Sequence, residues 1–187
     1  MFDLTLVDHL RMTFGHVIYT HRAHAELAAR HARWNRWTQA AEALFVLTAA
    51  LSSMALVSTG YSQLAVVCAV AGSAAVATLV ARLAFDFDRR ASAHRDCSAR
   101  LWHIREQYRA VLADLQDGQL TLEGARERRD VLMSRLQAMY ENAPPADRRI
   151  YEAARSSSPG AHENALTDEE VDRFLPASLQ KGGKSAA

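Results

Sequence analysis

The sequence predicts an all-α integral membrane protein: a two-helix hairpin with long cytoplasmic helical extensions packed as an antiparallel helical bundle. Three observations predict it. Residues 43–81 run for 39 positions without Asp, Glu, Lys, Arg or His, closed by Glu42 on one side and Arg82 on the other. The run is interrupted by Ser58, Thr59, Gly60, Tyr61, Ser62 and Gln63, a polar, glycine-containing stretch of turn type. On both sides of it, apolar residues recur at helical spacing.

A single bilayer crossing takes ~20 mostly apolar residues, so the run reads as two crossings joined by a tight loop. The first covers 43–57 and, being short, draws in Ala40 and Ala41 or the start of the loop. The second covers 64–81 and runs on to Phe85. The competing reading is a buried hairpin in a soluble protein. Such helices keep a polar stripe toward water, and neither segment has one.

Orientation follows from arginine. Arg30, Arg33 and Arg36 precede the first crossing, Arg82, Arg89, Arg90 and Arg95 follow the second, and the loop between is uncharged. Cationic flanks stay inside, which predicts a multi-pass membrane protein with both termini cytoplasmic. Trp34, Trp37 and Tyr61 border the crossings as interfacial anchors. The alternative for the tryptophans is packing against the cytoplasmic helices.

Charge excludes some functions. There are 22 Lys and Arg against 21 Asp and Glu, a balance that makes no case for nucleic-acid binding. Cys68 and Cys97, one inside the second crossing and one beyond it, read as free thiols. The N-terminus lacks the basic and apolar regions of a cleavable signal.

From Asp3 to Glu42 there is no Pro, and the only Gly is Gly15. Leu4, Val7, Leu10, Phe14, Val17, Ile18, Ala25 and Ala28 mark one amphipathic helix, continuous with the first crossing in one reading. It carries His9, His16, His21, His24 and His31. His21 and His24 share a face at the spacing of a metal pair. No Cys or acidic residue completes a site, so surface histidines are the preferred reading, and no metal or other cofactor is expected.

Helices in lipid associate through small residues. Ala69, Ser73, Ala77 and Ala81 form such a stripe on the second crossing, and Ala49 with Ser53 offers a matching pair on the first. These six are the candidate packing and oligomerisation positions. Thr48, Ser52 and Thr59 lie on another face and are the candidates for facing a pore. The competing role for such hydroxyls is bonding to their own backbone. No charge marks an ion or proton route.

After Arg82 a charged helix extends to about Gln116. His94, Cys97, Leu101, Ile104, Tyr108, Val111 and Leu115 follow the three-four spacing of a coiled-coil seam. Gly118 stops it and Thr121 caps the next helix, which runs to about Glu141. Its inward positions are Leu122, Ala125, Leu132, Leu136 and Met139 or Tyr140, and the two helices should pack antiparallel. Pro144 and Pro145 break the chain before a short helix through Tyr151 and Ala154. Residues 1–155 then form one domain, and 156–187 a linker, a short helix capped by Thr167 with Glu170, and a disordered tail from Lys181.

No phosphate loop, paired-cysteine motif or nucleophile elbow occurs, so no enzyme and no catalytic residue is expected. Arg128, Arg129 and Asp130, and Asp147, Arg148 and Arg149, are clusters of the kind that grip phosphate. A salt-bridged solvent face is the preferred reading.

The layout resembles the SLATT domains, two-transmembrane effector domains of bacterial conflict systems. The resemblance rests on the Arg- and His-rich first helix, the hairpin and the long helix pair. Within these it draws on Tyr108-Arg109-Ala110-Val111-Leu112, residues 126–140, and Ala143-Pro144-Pro145 leading to Asp147-Arg148-Arg149 and Tyr151. It spans roughly Leu4 to Ala154 and extends to residues 169–179. It implies an effector of the bacterial inner membrane that oligomerises and forms a pore or otherwise disrupts that membrane during phage infection. The trigger would come from a separate sensor or second-messenger synthase encoded nearby. The alternative from another class is a scaffold or tether that positions a cytosolic partner and leaves the bilayer intact.

Overall fold

The computed structural model describes residues 5–146, 148–156 and 166–181. Expectations placed on Leu4, Asp147, the Ser157-to-Gly160 linker and the chain after Lys181 lie outside these residues. The elements are α1 (Leu6–Thr59), α2 (Gln63–Phe85), α3 (Phe87–Gln116), α4 (Leu122–Glu141), α5 (Arg148–Ser156), α6 (Asp168–Asp172) and a 3-10 turn (Ala177–Leu179). No strand occurs among the described residues. The fold is all-α, with two helices long and apolar enough to span a membrane. It divides into two compact units: Met1–Leu27 with Ala93–Ala187, and Ala28–Ser92.

The first unit is a helical bundle with one apolar core. From α1 it takes Leu10, Phe14, Val17 and Ile18, from α4 Ala125, Leu132, Leu136 and Met139, and from the C-terminal segment Val171 and Leu175. The seam of α3 faces into it: Leu101 and Tyr108 are fully buried, with Cys97, Ile104 and Val111 close behind. Each fully buried aliphatic side chain of this kind contributes ~1.5–3 kcal/mol. The Tyr108 hydroxyl has no hydrogen-bond partner among the described residues, and burial pushes its pKa up to about 12.

Local chemistry sets the boundaries. Gly118 takes the left-handed φ of +66° that ends α3. The Thr121 side chain accepts from the Gly124 N–H at 3.2 Å to start α4. Asp86 takes φ +46° and donates its N–H to the Arg82 carbonyl at 3.1 Å. It therefore separates α2 from α3; Asp is among the few side chains that tolerate this conformation.

Three expected inward positions are exposed: Val7, Ala25 and Leu122. Leu122 opens the first turn of α4, and the buried arc of that helix begins at Ala125. On α1 the buried set is wider than one stripe: His24 packs on His94 of α3, and Arg11, Gly15 and Tyr19 are also inside. The reason for the last three is a second packing partner.

That partner is the C-terminal segment. Residues 166–181 belong to the same unit as the start of α1 and pack against it. Thr167 and Glu170 form the expected capping box: the Glu170 N–H donates to Thr167 Oγ1 at 3.3 Å and the Thr167 N–H to Glu170 Oε2 at 3.2 Å. Arg11, only 3 % exposed, pairs with Asp172 and donates to the Leu179 carbonyl at 2.6 Å. Lys181, expected in a disordered tail, bridges Asp8 at 3.0 Å and Asp168 at 2.8 Å. Gly15 lets the segment approach: a Cβ there would meet Val171 Cγ2 at 3.1 Å. Phe174 packs edge-on to Tyr19 at 5.9 Å and under the Arg22 guanidinium at 4.7 Å.

Candidate functional site: the apolar hairpin

The second unit, Ala28–Ser92, contains the hairpin. Its first helix continues through Thr59, two residues beyond the expected end of the crossing. Gly60, at φ +72°, turns the chain, and its N–H donates to the Leu56 carbonyl at 2.9 Å. After Tyr61 and Ser62, α2 begins at Gln63. At the other end the two flanking charges meet: Arg82 Nε lies 3.1 Å from Glu42 Oε2. The Nε–H is not aligned for a hydrogen bond, so the contact is an ion pair.

The most buried positions of the hairpin are small residues. Ala71 and Ala75 of α2 and Ser52 of α1 are buried, and Cys68, Gly72, Phe45 and Ala49 are half-buried. The rest of the surface is aliphatic and open. Leu44, Val46, Leu47, Leu51, Met54 and Val57 on α1 are exposed, as are Val66, Val70, Val76, Val80 and Leu83 on α2. Only 6 % and 11 % of the most apolar 18-residue stretches of the two long helical segments are buried. A core hairpin would be mostly covered, and water does not tolerate a contiguous apolar surface of this extent. Lipid does, because both helices satisfy their backbone groups internally.

The candidate positions divide between the inner and outer faces. Ala69, Ser73 and Ala77 are exposed and Ala81 is half-buried. Successive helical residues turn by ~100°, so Ala69, Ser73 and Ala77 point roughly opposite to Ala71 and Ala75. The second crossing thus carries two small-residue stripes, one used inside the chain and one turned away. On α1, Ala49 is half-buried and Ser53 exposed. Ser52 is enclosed, and Thr48 and Thr59 donate to the carbonyls of Leu44 at 2.8 Å and Ala55 at 2.7 Å.

A family model for the SMODS and SLOG-associating 2TM effector domain, family 4, matches residues 6–170. The chain belongs to the SLATT family. Comparison with curated proteins and with solved structures gives no match. Membership supports a membrane-effector role in conflict systems, and the family's name ties it to SMODS and SLOG nucleotide signalling.

The other groups flagged in the SLATT sequence sit in the first unit. His24 does not use His21 as a partner. Its Nδ1 lies 2.9 Å from Nδ1 of His94 on α3, and both rings are buried. One Nδ1 must carry a proton and the other must accept it. Burial, helped by the charge of His21, holds the His24 pKa below the usual histidine value. His21 instead contacts Ser98, Nδ1 to the carbonyl at 2.9 Å. No group of three His, Cys, Asp or Glu placed to hold a metal occurs among the described residues. Arg128 pairs with Asp114 at 2.6 Å and Arg129 with Asp130 at 2.7 Å. Cys68 and Cys97 are free thiols, and burial pushes the Cys97 thiol up.

Sequence reasoning missed Ala71, Ala75, Arg11 and the His24–His94 pair. His94 stands on the seam and His24 four residues before Ala28, so both helical periodicities contained the signal.

Proposed function

We propose that this SLATT protein is a triggered, membrane-disrupting effector of the bacterial inner membrane. Both termini lie in the cytoplasm, following the arginine flanks of the hairpin. On a signal from a separate sensor or second-messenger synthase, copies of the chain associate through Ala69, Ser73, Ala77 and Ala81, with Ala49 and Ser53 on the first crossing. The assembly opens a pore or breaches the bilayer, and the infected cell stops growing.

One observation carries this reading: the small-residue stripe on α2 that the hairpin does not use for its own packing. Small residues let helices in lipid approach closely enough to gain dispersion contacts, and this stripe is available to a second copy. Thr48 and Ser52 lie toward the inside of the single hairpin, so a pore lined by them, with Thr59, requires the two crossings to part.

The test is membrane potential and growth in cells expressing the chain alone and with its neighbouring genes. Depolarisation that depends on the intact hairpin supports the effector. A polarised membrane under every condition replaces it with a tether that positions a cytosolic partner.

A further inference from the structure

Beside the hairpin, in the same unit, lies a cleft of about 750 Å³ lined by Arg30, Arg33, Trp34, Trp37, Thr38 and Ala41 of α1 and by Thr78 of α2. The α1 residues fall at helical positions i, i+3, i+4, i+7, i+8 and i+11, so they share one face. Along that face the chemistry changes in order. Two guanidinium groups come first, two indoles follow, and Ala41 and Thr78 come last, where the apolar run begins. From Arg30 to Ala41 is ~16 Å at 1.5 Å per residue. That matches one headgroup layer plus the upper part of a ~15 Å hydrocarbon leaflet. Trp34 and Trp37 are 54 % and 72 % exposed, which leaves their faces open to an acyl chain or glycerol backbone.

We propose that this cleft is a binding site for one anionic phospholipid, its phosphate held by Arg30 and Arg33 and its upper acyl chain lying over Trp34 and Trp37 toward Ala41 and Thr78. Charge complementarity selects the occupant. None of the seven lining residues is a carboxylate. Glu42, the next residue along α1, is neutralised by Arg82 at 3.1 Å. Both threonine hydroxyls are committed to their own helices: Thr38 donates to the Trp34 carbonyl at 3.0 Å and Thr78 to the Ala75 carbonyl at 2.8 Å. The lower cleft is therefore apolar in effect, which suits a lipid tail and not a second polar group. Planar guanidinium groups bind phosphate oxygens in pairs. The proposal rests on the hairpin lying in a bilayer.

The test uses the full chain carrying Trp102→Phe, so that emission comes from Trp34 and Trp37. The protein is reconstituted into two sets of vesicles of identical phosphatidylcholine and phosphatidylglycerol content, differing only in which lipid carries brominated acyl chains. Anionic lipid near a basic residue is enriched by about fivefold per arginine. Bromine on phosphatidylglycerol should therefore quench several-fold more strongly than its mole fraction predicts. Arg30→Gln with Arg33→Gln should remove that excess while leaving quenching by brominated phosphatidylcholine intact, which also shows that the variant is still inserted. Equal quenching by the two lipids in the unsubstituted arginine background overturns the site but leaves the hairpin in the membrane. No quenching by either lipid overturns the bilayer placement, and the site with it. An excess abolished by inorganic phosphate in the buffer assigns the cleft to a free anion and overturns the lipid.

Discussion

Arg82 and Glu42, the two charges that bound the uncharged run in sequence, face one another across the base of the hairpin at 3.1 Å. Each is less than a third exposed. The pair fixes the register of α1 against α2 where the helices enter the apolar layer. Partial burial places its worth between a surface ion pair and a buried one, ~1–2 kcal/mol. In a double-mutant cycle of Glu42→Gln and Arg82→Gln, the hairpin's resistance to denaturing detergent should show coupling of that size. Additive losses would mean that the two charges do not act on each other.

Arg11 is the hinge pin of the C-terminal segment. A guanidinium 3 % exposed, held by Asp172 and the Leu179 carbonyl with Asp168 at 3.7 Å, cannot be left without a carboxylate cheaply. Removing one partner of such a pair costs ~3–5 kcal/mol. Asp168→Ala with Asp172→Ala should therefore release residues 168–175 from α1, and amide exchange there should accelerate by orders of magnitude relative to α3. Gly15→Leu should do the same by driving a side chain into Val171 and Leu166. Exchange unchanged in both variants would refute the docking.

Much of the bundle was legible because one physical rule governed it. From Cys97 to Val111 the three-four spacing is unbroken, and one face of a straight helix meets one core. The Thr121 and Thr167 caps were legible because capping is local. Arg11 was not: a charge on a helix reads as solvent-facing, and its partner Asp172 lies 161 residues away. Tyr19 is buried for the same reason, by a segment whose arrival no local pattern announces. On the hairpin, Ala69, Ser73 and Ala77 match Ala71 and Ala75 in composition and spacing. Only the crossing of two helices decides which stripe turns inward, and sequence does not contain that angle.

The buried histidine pair makes the helical bundle of the first unit acid-sensitive. His24 in the folded chain resists protonation, whereas in the unfolded chain it takes up a proton near its ordinary value of 6.5. The unfolded state then binds more protons, and stability falls as pH drops. The contribution is complete above that value and is lost as pH falls from it toward the lower folded pKa. Thermal unfolding in detergent should show a midpoint that declines on mild acidification, and His24→Gln should flatten the decline. A slope indifferent to the substitution would mean that other groups set it.

The two small-residue stripes of α2 make opposite predictions. Ala71 and Ala75 are buried against α1, so Ala71→Leu with Ala75→Leu overpacks the hairpin at a cost of ~1–3 kcal/mol per site. That variant should be destabilised as a single chain, with a lowered denaturation midpoint in detergent. Ser73 and Ala77 are exposed, so Ser73→Leu with Ala77→Leu should leave the same midpoint nearly unchanged. Its effect should appear only when copies meet: less crosslinked oligomer in the membrane and less depolarisation on expression. The contrast separates assembly from folding, because only the second variant keeps an intact hairpin while losing activity. Full depolarisation by Ser73→Leu with Ala77→Leu would remove the outward stripe from the mechanism and move the contact between copies to another face of the hairpin.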